Sequence, residues 1–200
     1  MPLKVAIVGT GNVAAQNYLP YLVQNKDVTL SYYNRSRDKA QAVAEKFGGT
    51  VADSLAELMA NDPDTVLVLT RETDRYAVVS DLLDLQPRRI FFEKPLVAQQ
   101  GQANVTEEDF HKAHTLLSRA HAAKVETAMV FNYRFFAQTI KARELIAAHN
   151  LGRPVHFTGL VHYACWSHCI DLMLAFMGPV STITALAAPE ARPCMGSDNV

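Results

Sequence analysis

Residues 4–15 read KVAIVGTGNVAA, and their reading decides the fold. A short apolar run, 3–8, enters the turn Gly9-Thr10-Gly11-Asn12-Val13-Ala14, which has the spacing G-x-G-x-x-A. Gly9 permits a tight strand-to-helix turn that a Cβ would obstruct. Gly11 lets backbone approach a pyrophosphate, and Ala14 is small enough for the helix to lie close on its strand. The helix that follows offers free N–H groups and the positive end of its dipole to phosphates. The spacing alone is a weak signal. It gains weight because a strand precedes it, a helix-like stretch follows, and a second strand, 28–33, comes at the right distance. Gly9, Thr10, Gly11, Asn12 and Val13 are therefore expected to hold a dinucleotide. A glycine-rich turn of some other α/β protein is the plain alternative.

Working outward, strand-like and helix-like segments alternate. A helix is expected over 12–24, broken or kinked by Pro20. Helices follow over 36–47, closed by Gly48-Gly49, and over 54–60, where Ser54 and Glu57 form a capping box. The run TVLVLT at 65–70 is β-branched and apolar throughout, as in a strand buried on both faces. A helix over 74–85, a strand over 89–92 and a long helix from Thr106 to about residue 123 come next. This alternation predicts an α/β protein with a Rossmann-type doubly wound parallel sheet over 1–123. A partial α+β second domain is expected over 124–200, with strands at 125–133, 155–163 and 180–186 and helices at 136–149 and 167–177.

Residues 90–96, IFFEKPL, place an acid, an amine and a proline at the end of another strand of the same domain. Behind a dinucleotide-binding half, Glu93-Lys94-Pro95 points to an enzyme that sets a lysine beside a nicotinamide ring; elsewhere it would be an exposed charged turn. Enzymes for the unphosphorylated cofactor usually end the second strand in Asp or Glu. Here the segment is Tyr33-Asn34-Arg35-Ser36-Arg37, without a carboxylate. Arg35 and Arg37 are able to fork onto a 2′-phosphate and Ser36 to donate to it, which favours NADP over NAD. The alternative is solvated loop arginines, with Asn34 bonding an unphosphorylated ribose.

Four segments together resemble the Gfo/Idh/MocA oxidoreductases, the family of glucose–fructose oxidoreductase and inositol dehydrogenases. They are GTGNVA at 9–14, EKP at 93–95, NYRF at 132–135 and SHCIDLM at 167–173. The resemblance implies hydride transfer between a nicotinamide cofactor and a sugar, sugar derivative or cyclitol. It implies that Glu93 lies near the nicotinamide ribose, that Lys94 contacts the reacting oxygen, and that Pro95 follows a cis peptide. His168 would be the catalytic histidine and Asp171 the acid one helical turn later, with Tyr133 and Arg134 beside the substrate cleft. Histidine titrates near neutral pH and suits a proton carrier, and an ammonium suits a developing alkoxide. A local hydrogen bond for His168, a solvated turn for Lys94 and a helix-start acid for Asp171 are the plainer readings.

The chain also departs from that pattern. Ala164 stands where the family often has an aspartate four residues before the histidine, and the family's T-P-N-x-x-H reads Thr70-Arg71-Glu72-Thr73-Asp74-Arg75. Thr70 and Arg75 are still counted with the cofactor-binding residues. Arg71 and Arg75 add positive charge near the cofactor or a phosphorylated substrate, or else make surface salt bridges. Tyr163 or His162 would stand in for the lost acid. Family members usually continue through several more strands, so a truncated product or a reduced variant is expected. A dinucleotide-binding regulator or interaction protein on the same fold is the alternative to an enzyme.

The bulk numbers set limits. A formal net charge of −1 over 200 residues, with no basic run, gives no field to recruit nucleic acid or an anionic membrane. No apolar stretch is long enough to span a bilayer, and the chain opens directly on a strand, so a cytoplasmic protein is expected. Cys165, Cys169 and Cys194 are too few for a disulfide framework. Cys165, His168, Cys169 and His162 cluster in sequence without a familiar zinc spacing, so no metal is expected and half-buried thiols are the better reading. His111 and His114 read as exposed helix residues. A homodimer or tetramer through an open sheet is expected.

Overall fold

The computed structural model describes residues 2–161 and 165–184. The chain divides into two compact units, Met1–Phe131 and Asn132–Val200.

In the first unit six strands form one sheet. They are β1 (Leu3–Val8), β2 (Val28–Tyr33), β3 (Thr50–Val51), β4 (Thr65–Val68), β5 (Arg89–Phe92) and β6 (Glu126–Met129). Their order is β3-β2-β1-β4-β5-β6, and every pairing is parallel. The order reverses between β1 and β4, the switch point where a doubly wound sheet opens a crevice at its strand ends. Val8 pairs with Tyr33 and Val68, and Val68 with Phe92. That register brings the segments beginning at Gly9, Asn34, Leu69 and Glu93 out at one end of the sheet.

Both faces of the sheet are apolar, as the run at 65–70 requires. Val5, Ile7, Leu30, Tyr32, Leu67 and Leu69 point to one core with Ala14, Leu19, Ala40 and Val43. Ala6, Val8, Val66, Val68, Ile90 and Phe92 point to the other with Leu58, Val79, Leu82 and Leu116. Period-two alternation sends neighbouring residues of one strand to opposite faces, and helices cover each. The covering helices are α1 (Leu19–Leu22), α2 (Arg37–Phe47), α3 (Leu55–Ala60), α4 (Glu72–Asp84) and α5 (Glu107–Ala122).

Two expectations change here. The helix expected over 12–24 contains a π-helical turn, Ala14–Tyr18, before the short α1. Pro20 has no N–H to return to the carbonyl four residues back, and its ring crowds that carbonyl. The preceding turn widens instead, and the Leu19 N–H reaches the Ala14 carbonyl. The strand expected over 125–133 is cut to Glu126–Met129 and is the sixth strand of the first sheet, within the compact unit that runs to Phe131. The short β3 did not stand out in the sequence, since two residues carry no alternation.

The second unit, described by itself, contains a 3₁₀ turn at Asn132–Phe135 and the helices α6 (Ala137–Ala148) and α7 (Trp166–Met177). Gly178, at φ 75°, closes α7. Residues 155–161 form no strand, although their alternation predicts one. Val155 is 95% and Leu160 98% exposed, so no neighbouring strand among the described residues takes their backbone hydrogen bonds. Residues 180–184 are irregular, and the rest of the strand expected there, with His162, Tyr163, Ala164 and Cys194, lies outside the described residues. The described part of this unit is helical rather than α+β. No described helix is long and apolar enough to cross a membrane.

Candidate active site

The glycine turn sits at the switch point. Gly9 has φ 95°, and a Cβ there would come within 2.7 Å of the Thr70 backbone nitrogen. The glycine is required by the neighbouring strand end as well as by the turn itself. At Gly11 a Cβ would meet nothing within 4 Å, so this side of the turn is open to a ligand. Asn12 and Val13 open the helix and are exposed. The Thr10 hydroxyl is buried without a hydrogen-bond partner among the described residues, and so is the Thr70 hydroxyl. Two orphaned hydroxyls beside a glycine turn fit polar groups of a dinucleotide.

At the end of β2, Asn34 ties two segments together. Its Oδ1 accepts the Thr10 N–H at 3.2 Å and its Nδ2 donates to the Ser36 carbonyl at 3.0 Å. Asn34 therefore holds the glycine turn against the β2 loop. Arg37 is ion-paired with Asp53. Arg35 is exposed and makes no hydrogen bond or ion pair with another described residue. Ser36 occupies the N-cap of α2, yet its side chain makes no capping bond. Of the two expected arginines, Arg35 is unengaged and Arg37 is held by a neighbour.

Beyond β5, Glu93 and Lys94 are half-buried, and the Lys94–Pro95 bond is cis, as the resemblance implies. The Glu93 carboxylate accepts the Tyr18 hydroxyl at 2.6 Å on one oxygen and the Lys94 N–H at 2.9 Å on the other. Burial, followed by the carboxylate it donates to, pushes the Tyr18 phenol far above its ordinary value, so Tyr18 keeps its proton. Leu96, Val97 and Ala98 are buried and anchor the segment in the core.

Arg75 is 2% exposed, so of its two expected readings the surface ion pair is set aside. Its guanidinium donates to the Glu93 carbonyl at 2.6 Å and to the carbonyls of Pro95 and Thr70. Burial lowers its pKa, and the nearby Glu93 carboxylate counters that. Sequence reasoning missed Tyr18 altogether. The one signal was Pro20, which marks a disturbed helix without saying where the widened turn aims its side chains.

The second unit holds its own cluster. The Tyr133 and His168 rings stack with centroids 4.2 Å apart and planes 11° from parallel. The Tyr133 hydroxyl lies 3.5 Å from the Cys165 sulfur, a contact that together with burial raises the phenol's pKa. Arg134 donates to both Asp171 oxygens, at 2.6 Å each. His168 and Asp171 are buried. Adjacent residues of the 3₁₀ turn thus grip residues i and i+3 of α7, which share a helix face. Asp171 was expected to steady His168 or to serve as a helix-start acid; it is instead the partner of Arg134, whose fork is in turn committed to it. Among the described residues no three His, Cys, Asp or Glu side chains are grouped to hold a metal ion.

Residues 3–121 match the family described as an oxidoreductase family with an NAD-binding Rossmann fold, Gfo/Idh/MocA. The chain belongs to this family. It is 32% identical over 200 residues to YceM of Salmonella typhimurium, provisionally named an oxidoreductase, covering 98% of this chain and 60% of that one. It is 30% identical over 159 residues to the D-glucoside 3-dehydrogenase of Escherichia coli, covering 76% of this chain and 41% of that one. The chain therefore spans less than two thirds of the length of these relatives. Among solved structures, KijD10, a 3-ketoreductase from Actinomadura kijaniata seen with NADP and TDP-benzene, superposes with a TM-score of 0.61. That match is at 20% identity over 76% of this chain and 44% of the other, and it speaks for the fold.

Proposed function

We propose that this chain is an NAD(P)-dependent oxidoreductase that transfers a hydride between a nicotinamide cofactor and a hydroxyl or keto group of a sugar, sugar derivative or cyclitol, with NADP favoured. One observation carries the reading: the glycine turn at the switch point is open at Gly11 and carries the orphaned Thr10 hydroxyl, with a second orphaned hydroxyl on Thr70, the residue whose backbone excludes a side chain at Gly9. Family membership and the sugar-acting dehydrogenase among the relatives support the substrate class. A bound nicotinamide dinucleotide would supply the hydride donor or acceptor. The open side of Gly11, the N–H groups at Asn12 and Val13 and the Thr10 hydroxyl would hold its phosphates. The unengaged Arg35 and the free Ser36 hydroxyl, with no carboxylate at the end of β2, favour a 2′-phosphate.

Lys94 would donate a hydrogen bond to the reacting oxygen and stabilise the charge that develops there. His168 would carry the hydroxyl proton on an imidazole nitrogen, its ring plane set by the stack with Tyr133. Asp171, gripped on both oxygens by Arg134, would fix the helix turn that carries His168.

The test is a screen of NADP⁺ and NAD⁺ reduction with glycosides, free sugars and cyclitols, followed by Lys94→Met and His168→Ala. Each variant is expected to lower turnover by about a hundredfold or more while cofactor binding stays within about twofold. Unchanged turnover in both removes the assigned roles. Tight cofactor binding without turnover on any substrate would instead favour a dinucleotide-binding regulator.

A further inference from the structure

Glu93 and Pro95 flank Lys94, and both of their carbonyls accept from one guanidinium nitrogen of Arg75, while the other terminal nitrogen donates to Thr70. The backbone on each side of Lys94 is therefore held by one side chain anchored in α4. The Lys94 N–H is held separately by the Glu93 carboxylate, whose second oxygen takes the Tyr18 hydroxyl. Thr70 is also the residue whose backbone a Cβ at Gly9 would strike, so the glycine turn packs against it. A continuous line of contacts thus runs from the glycine turn through Thr70 and Arg75 to the peptide carrying Lys94.

We propose that Arg75 is the positioning residue for Lys94, with Tyr18 holding the Glu93 carboxylate as its second anchor. The proposal deepens the reading of Lys94 as the group that meets the substrate oxygen, and rests on it for its functional meaning. Three carbonyls converge on Arg75, and only a guanidinium supplies enough donors in one plane to serve them. An imidazole, which the family pattern places here, offers at most two N–H groups. This explains why the departure from T-P-N-x-x-H ends in arginine. The buried charge is balanced by the Glu93 carboxylate nearby, so Arg75, Glu93 and Tyr18 form one unit. Removing the guanidinium leaves the peptides around Lys94 free to turn, and the ammonium moves with them.

The test reads the ligand-free full chain, so it fails separately from the functional reading. The lysines are reductively methylated with ¹³C-formaldehyde, and the Lys94 signal is identified by its loss in Lys94→Arg. In Arg75→Gln the Lys94 signal is expected to shift by more than its linewidth while the other lysine signals stay in place. Arg75→Lys, which keeps a cation but not the fork, should shift it less. A folded Arg75→Gln with an unmoved Lys94 signal overturns the proposal. Should Arg75→Gln fail to fold, Tyr18→Phe and Arg75→Lys decide: movement confined to Lys94 in either supports the proposal, and an unmoved signal in both overturns it.

Discussion

Two glycines separated by one residue carry different burdens, and substitution separates them. A Cβ at Gly9 would press on the Thr70 backbone at 2.7 Å, with φ at 95°. Backbone cannot swing aside as a side-chain tip can, so Gly9→Ala is expected to lower stability by about 1–3 kcal/mol, measured by urea unfolding. At Gly11 a Cβ meets only open space. Gly11→Ala is expected to unfold within about 0.5 kcal/mol of the parent yet to weaken NADPH binding by about tenfold or more, because a methyl group fills the room left for the pyrophosphate. Equal loss of stability in both variants would assign Gly11 to the fold alone. The spacing G-x-G-x-x-A made both glycines visible, but it did not reveal that the neighbour excluding a side chain at Gly9 is Thr70. The same limit applies to Arg75. Its charge was legible and suggested the cofactor, a phosphorylated substrate or a surface ion pair, whereas its burial depends on α4 lying over three carbonyls beyond the strand ends, a tertiary fact with no local signature.

Elements fold as local chemistry dictates where a cap or a break is written into the chain. Asp109 opens α5 and is buried, accepting the Gln99 N–H on one oxygen and the Thr106 N–H on the other, each at 2.9 Å. These backbone bonds hold its carboxyl below the ordinary value of 3.8. A depressed carboxylate pKa contributes stability that is fully present above the unfolded value and is lost as pH falls through the folded one. Asp109→Asn turns an amide N–H toward one of these donors, so it is expected to cost about 1–3 kcal/mol at neutral pH. The gap between variant and parent should narrow as pH falls below about 4, where the unfolded parent's carboxyl takes up its proton while the folded one, held lower, keeps its charge until the pH falls further. A gap constant from pH 7 to 2.5 in thermal unfolding would contradict this. Thr106 and the acids after it announced this helix start in the sequence, just as Gly48 announced the end of α2. Pro20 announced a break but not its form. The alternation at 155–161 misled, because period-two patterning makes a strand only where another strand stands beside it.

At the scale of the molecule, the order β3-β2-β1-β4-β5-β6 decides where chemistry can happen, since it gathers the ends of β1, β2, β4 and β5 at one switch point. That architecture was legible from alternating segments and one glycine turn, and family membership agrees with it. The second unit was less legible: its NYRF and SHCIDLM segments were recognised, yet the pairing of Tyr133 with His168 and of Arg134 with Asp171 joins residues more than thirty positions apart. The central claim is that the switch point holds a phosphorylated nicotinamide dinucleotide. The measurement that tests it most directly is a fluorescence titration of the chain with NADPH and, separately, with NADH, repeated on Arg35→Ala. The expected result is tighter binding of NADPH than NADH, with the difference falling by about tenfold in Arg35→Ala as one charge-assisted contact is lost. Binding of neither cofactor, with the chain folded, would contradict the claim and leave the glycine turn a purely structural feature.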